Sequence, residues 1–288
     1  MAGATRGVSV PSRLPIGVCI GSIRAEPAWW LDAARRLDEA GYAGIWCWDH
    51  FMGRGDRSVP VVEGWTILGA SAGVTRTATI GTFVANVMNH APAVVARMAS
   101  TLHIASGGRF VLGIGIGGHP AEHRALGLPF PDVPERVARL EEAVAVIRAL
   151  WAGGPVTRAS PFYPLEEAYG LPVPDPPPRI VVGGKSPAGT RLAARIGDGW
   201  TTFVDSFEAR LPLYLETLEA AGRAREDQLV LLGVEGQTVD ETTDTLRPWI
   251  AAPRETWERW QAAGADGVVL TARTEEHVRG LLAAAERW

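Results

Sequence analysis

Asp49 and His50 close an apolar run, Ile45-Trp46-Cys47-Trp48, and are of types that can do chemistry together. Burying two such groups without partners is costly. They read either as a structural Asp–His hydrogen bond at a strand end or as a working pair. In the second case His50 handles a proton or balances charge, because an unperturbed imidazole titrates near neutrality. Farther on, Gly113, Gly115 and Gly118 in GGRFVLGIGIGGHPAEH (residues 107–123) fit the G-x-G-x-x-G spacing of a dinucleotide site. That fingerprint needs a helix starting on the third glycine and an acid at the end of the next strand. Here Pro120 and a loop follow, the next long helix starts near Pro134, and the acid is missing. The glycines read instead as bare backbone that a flat ligand can approach, or as relief of crowding in a packed interior. The ligand reading is favoured for Gly117 and Gly118, the crowding reading for Gly113 and Gly115. Gly183-Gly184-Lys185-Ser186 precede a helix beginning near Pro187, where backbone N–H groups and the helix dipole would receive an anion. Lys185 is a counter-charge there or a solvated loop residue. Cys19 and Cys47 read as small buried hydrophobes, and two thiols without clustered histidines make no zinc site.

These residues need a scaffold. Short runs, apolar on both parities, mark strands buried on both faces. They are Ile16–Ile20, Gly44–Trp48, Thr79–Val84, Phe110–Ile116, Arg179–Val182, Gly199–Phe203, Leu229–Val234 and Gly267–Thr271. Amphipathic runs between them predict helices over Ala28–Ala40, Gly64–Val74, Pro92–Ser106, Pro134–Trp151, Pro187–Ile196, Phe207–Ala221, Pro253–Ala263 and Thr274–Trp288. Eight strands each followed by a helix predict an α/β fold, a (β/α)₈ TIM barrel, with 1–288 as a single domain. Barrel enzymes build their sites at the C-terminal ends of the strands, where Asp49, His50 and the glycines fall. The proline-rich stretch Ala152–Pro178 is too long for a plain loop. It reads as an insertion between helix 4 and strand 5, beside the barrel mouth and with a short hairpin at its start. Gly117–Val133 is a second irregular stretch.

The net charge is −4 with no block of like charge, so nothing points to nucleic acid. No apolar run approaches the roughly 20 residues of a membrane helix, and MAGATRGVSVPSR lacks the apolar core of a signal peptide. The expectation is a cytoplasmic protein.

Residues 106–151, SGGRFVLGIGIGGHPAEHRALGLPFPDVPERVARLEEAVAVIRALW, resemble the centre of the luciferase-like monooxygenase superfamily, and most of all its deazaflavin (coenzyme F420) branch. GIWCWDHF (44–51), NHAPAVVARMASTLHIASGGR (89–109) and VVGGKSPAGTRLAARIGDGW (181–200) resemble further family segments in family order. The resemblance implies that Asp49 hydrogen-bonds the cofactor ring and that His50 works beside it. It implies a cis non-proline peptide in strand 3, matched here at Thr82–Phe83, beneath the ring. Asn86 follows as a weaker cofactor contact, while Asn89 and His90 suit turns and caps equally. Gly183, Gly184, Lys185 and Ser186 would take the cofactor phosphate, and Trp200 and Thr201 face either cofactor or core. Family members are often homodimers. His103 and His277 read as surface or packing residues, and Arg97 and Arg109 as braces.

The sequence also departs from the family. Sugar-phosphate dehydrogenases of the family carry an acid at the position matched by Gly118 and another after strand 1, where this chain has Gly21, Ser22 and Ile23. Their absence argues against sugar-phosphate oxidation. Many relatives carry Trp-Asn at Gly118-His119, so His119 falls where the substrate is selected. The leading reading is an F420-dependent oxidoreductase acting on a small organic substrate, and the alternative is an FMN-dependent monooxygenase on the same barrel. A Schiff-base lyase using Lys185 and a barrel that only binds a ligand complete the set.

Overall fold

Three strand glycines and one tryptophan explain how the barrel closes. A Cβ at Gly17, Gly44 or Gly81 would stand 2.4, 2.6 or 2.3 Å from the Trp46 indole. Trp46 thus fills the barrel floor because three strands carry no side chain there. Burying an indole contributes roughly 4–6 kcal/mol. Cys19, Trp48, Val181, Leu231 and Val269 complete this interior cluster. The outward side chains of the same strands, such as Ile16, Val18, Ile20 and Ile45, pack under the helices in the larger core.

The computed structural model describes residues 14–288; residues 1–13, which include the segment read against a signal peptide, lie outside it. The elements run β1 (Leu14–Ile20), α1 (Pro27–Glu39), β2 (Tyr42–Cys47), α2 (Gly64–Val74), β3 (Thr79–Thr82), β4 (Ala85–Asn86), α3 (Pro92–Ala105) and β5 (Phe110–Gly115). They continue with α4 (Pro120–Leu126), α5 (Val133–Trp151), β6 (Val156–Arg158), β7 (Leu165–Ala168), β8 (Ile180–Gly183), α6 (Pro187–Ile196) and β9 (Gly199–Phe203). Last come α7 (Val204–Ala220), β10 (Leu229–Val234), α8 (Val239–Ala251), α9 (Pro253–Ala262), β11 (Gly267–Ala272) and α10 (Glu275–Ala285). The parallel sheet runs β3-β2-β1-β11-β10-β9-β8-β5-β4, and β3 also pairs with β5, which closes the ring. The fold is the (β/α)₈ barrel expected, with β4 continuing the third strand after a break at Phe83 and Val84. Among the described residues no helix is long and apolar enough to cross a membrane.

The structure corrects the sequence reading in four places. The insertion does contain a hairpin, with Val156 opposite Ala168. It hangs from the end of α5, however, where Gly170 sits against Leu150, and none of its residues lines the cavities at the mouth. A helix end lies at the opposite barrel face from the strand ends, so an insertion after α5 starts there. The cis peptide is Phe83–Val84, one bond later than matched. Two helices, α4 and α8, were not foreseen. For α8 the signal was present, since Thr238 caps the helix by accepting from Glu241 N–H in a T-x-x-E arrangement.

His103 and His277 are buried packing residues rather than surface ones. His277 Nδ1 accepts from Arg273 N–H at 3.1 Å. Arg109 braces the α2–β3 connection through the carbonyls of Ala78, Ala72 and Thr75, and Arg97 donates to Leu171 O in the insertion.

Candidate active site

The end of β2 delivers Asp49 and His50 to a cavity of ≈ 270 Å³ at the barrel mouth. Trp48, Phe83, Val84, Asn86, Gly115, Gly117, Gly118, Gly183, Gly184, Lys185 and Thr201 stand around it, with Arg54 and Glu235. Phe83 makes an edge contact with Trp46 at 5.7 Å, so the floor residue supports the cavity wall.

Asp49 is buried, and its Oδ2 accepts the Asn86 backbone N–H at 2.8 Å. Its Oδ1 has no hydrogen-bond partner and lies 3.6 Å from His90 Nε2. That carboxylate, more than burial can offset, raises the His90 pKa above the ordinary imidazole value. Asn89 Nδ2 donates to Asp49 O at 3.0 Å and Asn86 Nδ2 donates to Asn89 Oδ1 at 3.0 Å. Asn86 Nδ2 also reaches His123 Nε2 at 2.8 Å, while His123 Nδ1 faces Pro129 O at 3.1 Å. An amide N–H must find an acceptor, so His123 is neutral with its proton on Nδ1, and burial lowers its pKa accordingly. Asp49, Glu63 and His90 bring one ligating atom each to within 4.8 Å of one another. Both Glu63 oxygens, however, cap α2 by accepting from Trp65 and Thr66 N–H.

His50 is paired with Glu122, not with Asp49. Its Nδ1 lies 3.5 Å from Glu122 Oε2. The same oxygen accepts N–H groups of Phe51 at 3.1 Å and Met52 at 3.0 Å. Burial alone would raise the Glu122 pKa; His50 and the two N–H groups more than reverse this and hold it below the usual carboxyl range. His119 packs its ring edge-on to His50 at 5.4 Å and outside the main cavity, its pKa lowered by burial. The Asp–His structural bond is therefore absent, and Glu122 orients the imidazole.

The glycines divide by role. A Cβ at Gly113 would meet Thr82 O at 2.1 Å, so this glycine relieves interior crowding. Gly117 has φ +72°, and a Cβ there would meet Asn86 Oδ1 at 2.4 Å. Its carbonyl accepts from Arg136 at 2.7 Å, which ties the β5 exit to α5. A Cβ at Gly118 would meet nothing within 4 Å, so this position opens onto space.

Four candidate contacts are already engaged within the protein. Trp200 is fully buried on the helix side of β9, stacked on Tyr214 at 4.9 Å, and its Nε1 donates to Gly184 O at 2.9 Å. It braces the Gly-Gly loop from behind. Thr82 is also buried, and its hydroxyl donates to Gly113 O at 2.6 Å. Ser186 is the α6 N-cap, accepting from Gly189 N–H at 3.1 Å. Gly184 N–H already donates to Thr201 O at 3.0 Å, so only the loop from Lys185 onward is left to meet an anion. Lys185 pairs with Asp205 at 2.6 Å, both more than half exposed, an arrangement worth little to stability.

Sequence reasoning missed Glu122, His123, Arg54 and Glu235. Glu235 carried a usable signal, since a carboxylate directly after the apolar strand LVLLGV repeats the pattern that exposed Asp49. A second cavity of ≈ 420 Å³ adjoins the first, bordered by Arg24, Gln237, Thr238 and Arg273.

Known proteins resemble this chain in sequence and in fold. The F420-dependent glucose-6-phosphate dehydrogenase of Beutenbergia cavernae is 36% identical over 201 residues, 66% of this chain and 57% of that relative. The F420-dependent hydroxymycolic acid dehydrogenase of Mycobacterium tuberculosis is 29% identical over 227 residues, 76% of this chain and 63% of the relative. The chain thus spans less than two thirds of the length of these relatives. Among solved structures, an F420-dependent secondary alcohol dehydrogenase in complex with an F420–acetone adduct superposes with TM-score 0.81 at 21% identity, covering 96% of this chain and 98% of the other. Residues 17–287 match the sequence pattern of the luciferase-like monooxygenase family, and the chain belongs to that family.

Proposed function

We propose that this protein is an F420-dependent oxidoreductase that passes a hydride between the deazaflavin and a small organic substrate over its ring. The observation that carries the reading is the mouth cavity, with Asp49 and His50 on one side and bare glycine backbone on the other. The residues present suit a flat ring. Val84 already stands 3.1 and 3.2 Å from where Cβ atoms of Gly115 and Gly183 would be, so a side chain there would press on the wall. Asp49 Oδ1 is a buried acceptor without a protein partner. The relatives named as F420-dependent support the same cofactor.

When bound, the deazaflavin supplies reversible two-electron hydride chemistry. Phe83 and Val84 would support one ring face, and Asp49 Oδ1 would accept from the ring edge. Asn86, Gly117, Gly118 and Gly183 would line the ring, while Lys185 and Ser186 would face the phosphate-bearing arm. His50, oriented by Glu122 and flanked by the His119 ring, would hold a proton or balance charge.

The test is fluorescence quenching with F420 and, separately, with FMN. Saturable F420 quenching is expected; FMN binding without F420 binding would replace this reading with the flavin monooxygenase. Glucose 6-phosphate oxidation is not expected. Gly118 supplies no acid, and at Gly21 a Cβ would already stand 3.2 Å from the Trp48 ring. We take the chain to be one domain that works in the cytoplasm, as its two unpaired cysteines suggest. We also take it to be a homodimer. Helix α2 carries no charged residue and exposes Thr66, Gly69, Ala70, Gly73 and Val74, a surface suited to self-association that light scattering would test.

A further inference from the structure

Trp48, His50, Arg54 and Glu235 line both cavities and so mark where the two meet. Glu235 is the only carboxylate among them. Asp49, the other carboxylate at the inner cavity, gives Oδ2 to Asn86 N–H, and its Oδ1 is the acceptor assigned above to the deazaflavin ring. Glu235 follows the last residue of β10, and its side chain is 15% exposed. Its Oε1 faces Arg273 Nη2 at 3.4 Å, longer than the roughly 2.7–2.9 Å of a tight charged pair. Among the described residues Oε2 accepts no hydrogen bond. Arg273 is itself fixed, because its Nε donates to Thr242 Oγ1 at 2.9 Å and its guanidinium lies 4.5 Å from the Trp48 ring centroid. One oxygen is thus loosely braced and the other is open to the junction. Burial raises the Glu235 pKa, opposed in part by Arg273, Arg54 and His50, and the buried Cys19 thiol is a further titratable neighbour. A carboxyl shifted upward is closer to the operating range of a general acid–base group.

We propose that Glu235 exchanges the proton of the substrate oxygen, and that the substrate is an alcohol or its carbonyl partner. The proposal rests on the deazaflavin reading above. In oxidation the Glu235 carboxylate takes the hydroxyl proton as the hydride leaves carbon for the deazaflavin. The O–H and C–H bonds break, the carbonyl π bond forms, the substrate loses two electrons and the cofactor gains them. In reduction the Glu235 carboxylic acid returns the proton to the oxygen. Arg273 acts as a positioning residue, holding Glu235 through Oε1.

The test compares the parent with Glu235→Gln, which keeps the shape and an acceptor for Arg273. F420 quenching comes first. Equal binding in both is expected, whereas a parent that binds no F420 overturns both readings. Carbon-13 NMR of carboxyl-labelled glutamates then follows Glu235, assigned by its loss in the variant. It should titrate above the ordinary glutamate range and shift when F420 fills the cavity; titration in the ordinary range overturns this proposal alone. Single-turnover reduction of bound F420 by 2-propanol, cyclohexanol and benzyl alcohol completes the set. The variant should lose roughly 10²–10⁴-fold in rate, together with the pH limb set by Glu235. A loss below about threefold, measured against that range, or a parent inert toward all three alcohols, overturns the assignment.

Discussion

Replacing Glu122 separates its structural work from its effect on His50. Glu122 is fully buried, and one oxygen serves the N–H groups of Phe51 and Met52 as well as facing His50. Glu122→Ala leaves two N–H groups without an acceptor, at roughly 1–3 kcal/mol each, so about 2–6 kcal/mol is lost. Glu122→Gln keeps a carbonyl acceptor at the same place. It exchanges charge-assisted bonds for neutral ones, a difference of about 1 kcal/mol per bond and about 2 kcal/mol in all. Urea unfolding followed by circular dichroism measures both. The pH dependence carries a further check. The folded Glu122 pKa lies below its ordinary value. Its contribution is therefore complete above the unfolded carboxyl pKa of about 4.3 and fades as pH falls through the lower folded value. The gap between parent and Glu122→Gln should narrow over that acid window. A constant gap, or Glu122→Ala within about 0.5 kcal/mol of the parent, inside the ordinary scatter of surface substitutions, would refute the reasoning.

Three other outcomes follow from the same geometry. His50→Ala should bind F420 nearly as well as the parent but turn over roughly 10²–10⁴-fold more slowly, whereas Asp49→Ala should weaken quenching by F420 because it removes the free acceptor and releases Asn86 N–H. Gly117→Ala should cost more than about 1 kcal/mol in thermal or urea unfolding, since φ is +72° and the new methyl would meet Asn86; Gly118→Ala should leave stability unchanged. The attraction between His90 and Asp49 should stabilise the fold fully below the unfolded imidazole pKa, about 6.5, and disappear as pH rises through the raised folded value. His90→Gln should therefore differ most from the parent on the acid side, and a pH-independent difference in unfolding free energy would remove His90 from this role.

The local pattern of the chain was enough to place the barrel strands and the Asp49–His50 pair. A strand buried on both faces must be apolar at every position, so a carboxylate and an imidazole ending such a run mark its solvent-facing end. The same uniformity hides which side of a strand faces inward. Trp200 and Thr201 lie in a strand buried on both faces, and only barrel closure sets the indole against α7 and the hydroxyl against the cavity. Helix α4 has seven residues, too few for a period to be read, yet it supplies the partners of His50 and Asn86. The Gly-Gly loop carried the local sign of an anion site, but Gly184 N–H is claimed by Thr201, a neighbour only once β8 and β9 pair in the sheet. Glu235 and Arg273 meet across the gap between β10 and β11 for the same reason. Periodicity is set by residues a few positions apart and survives in the linear sequence. The partners of a buried charge are set by which strands become neighbours, and that is decided when the sheet closes.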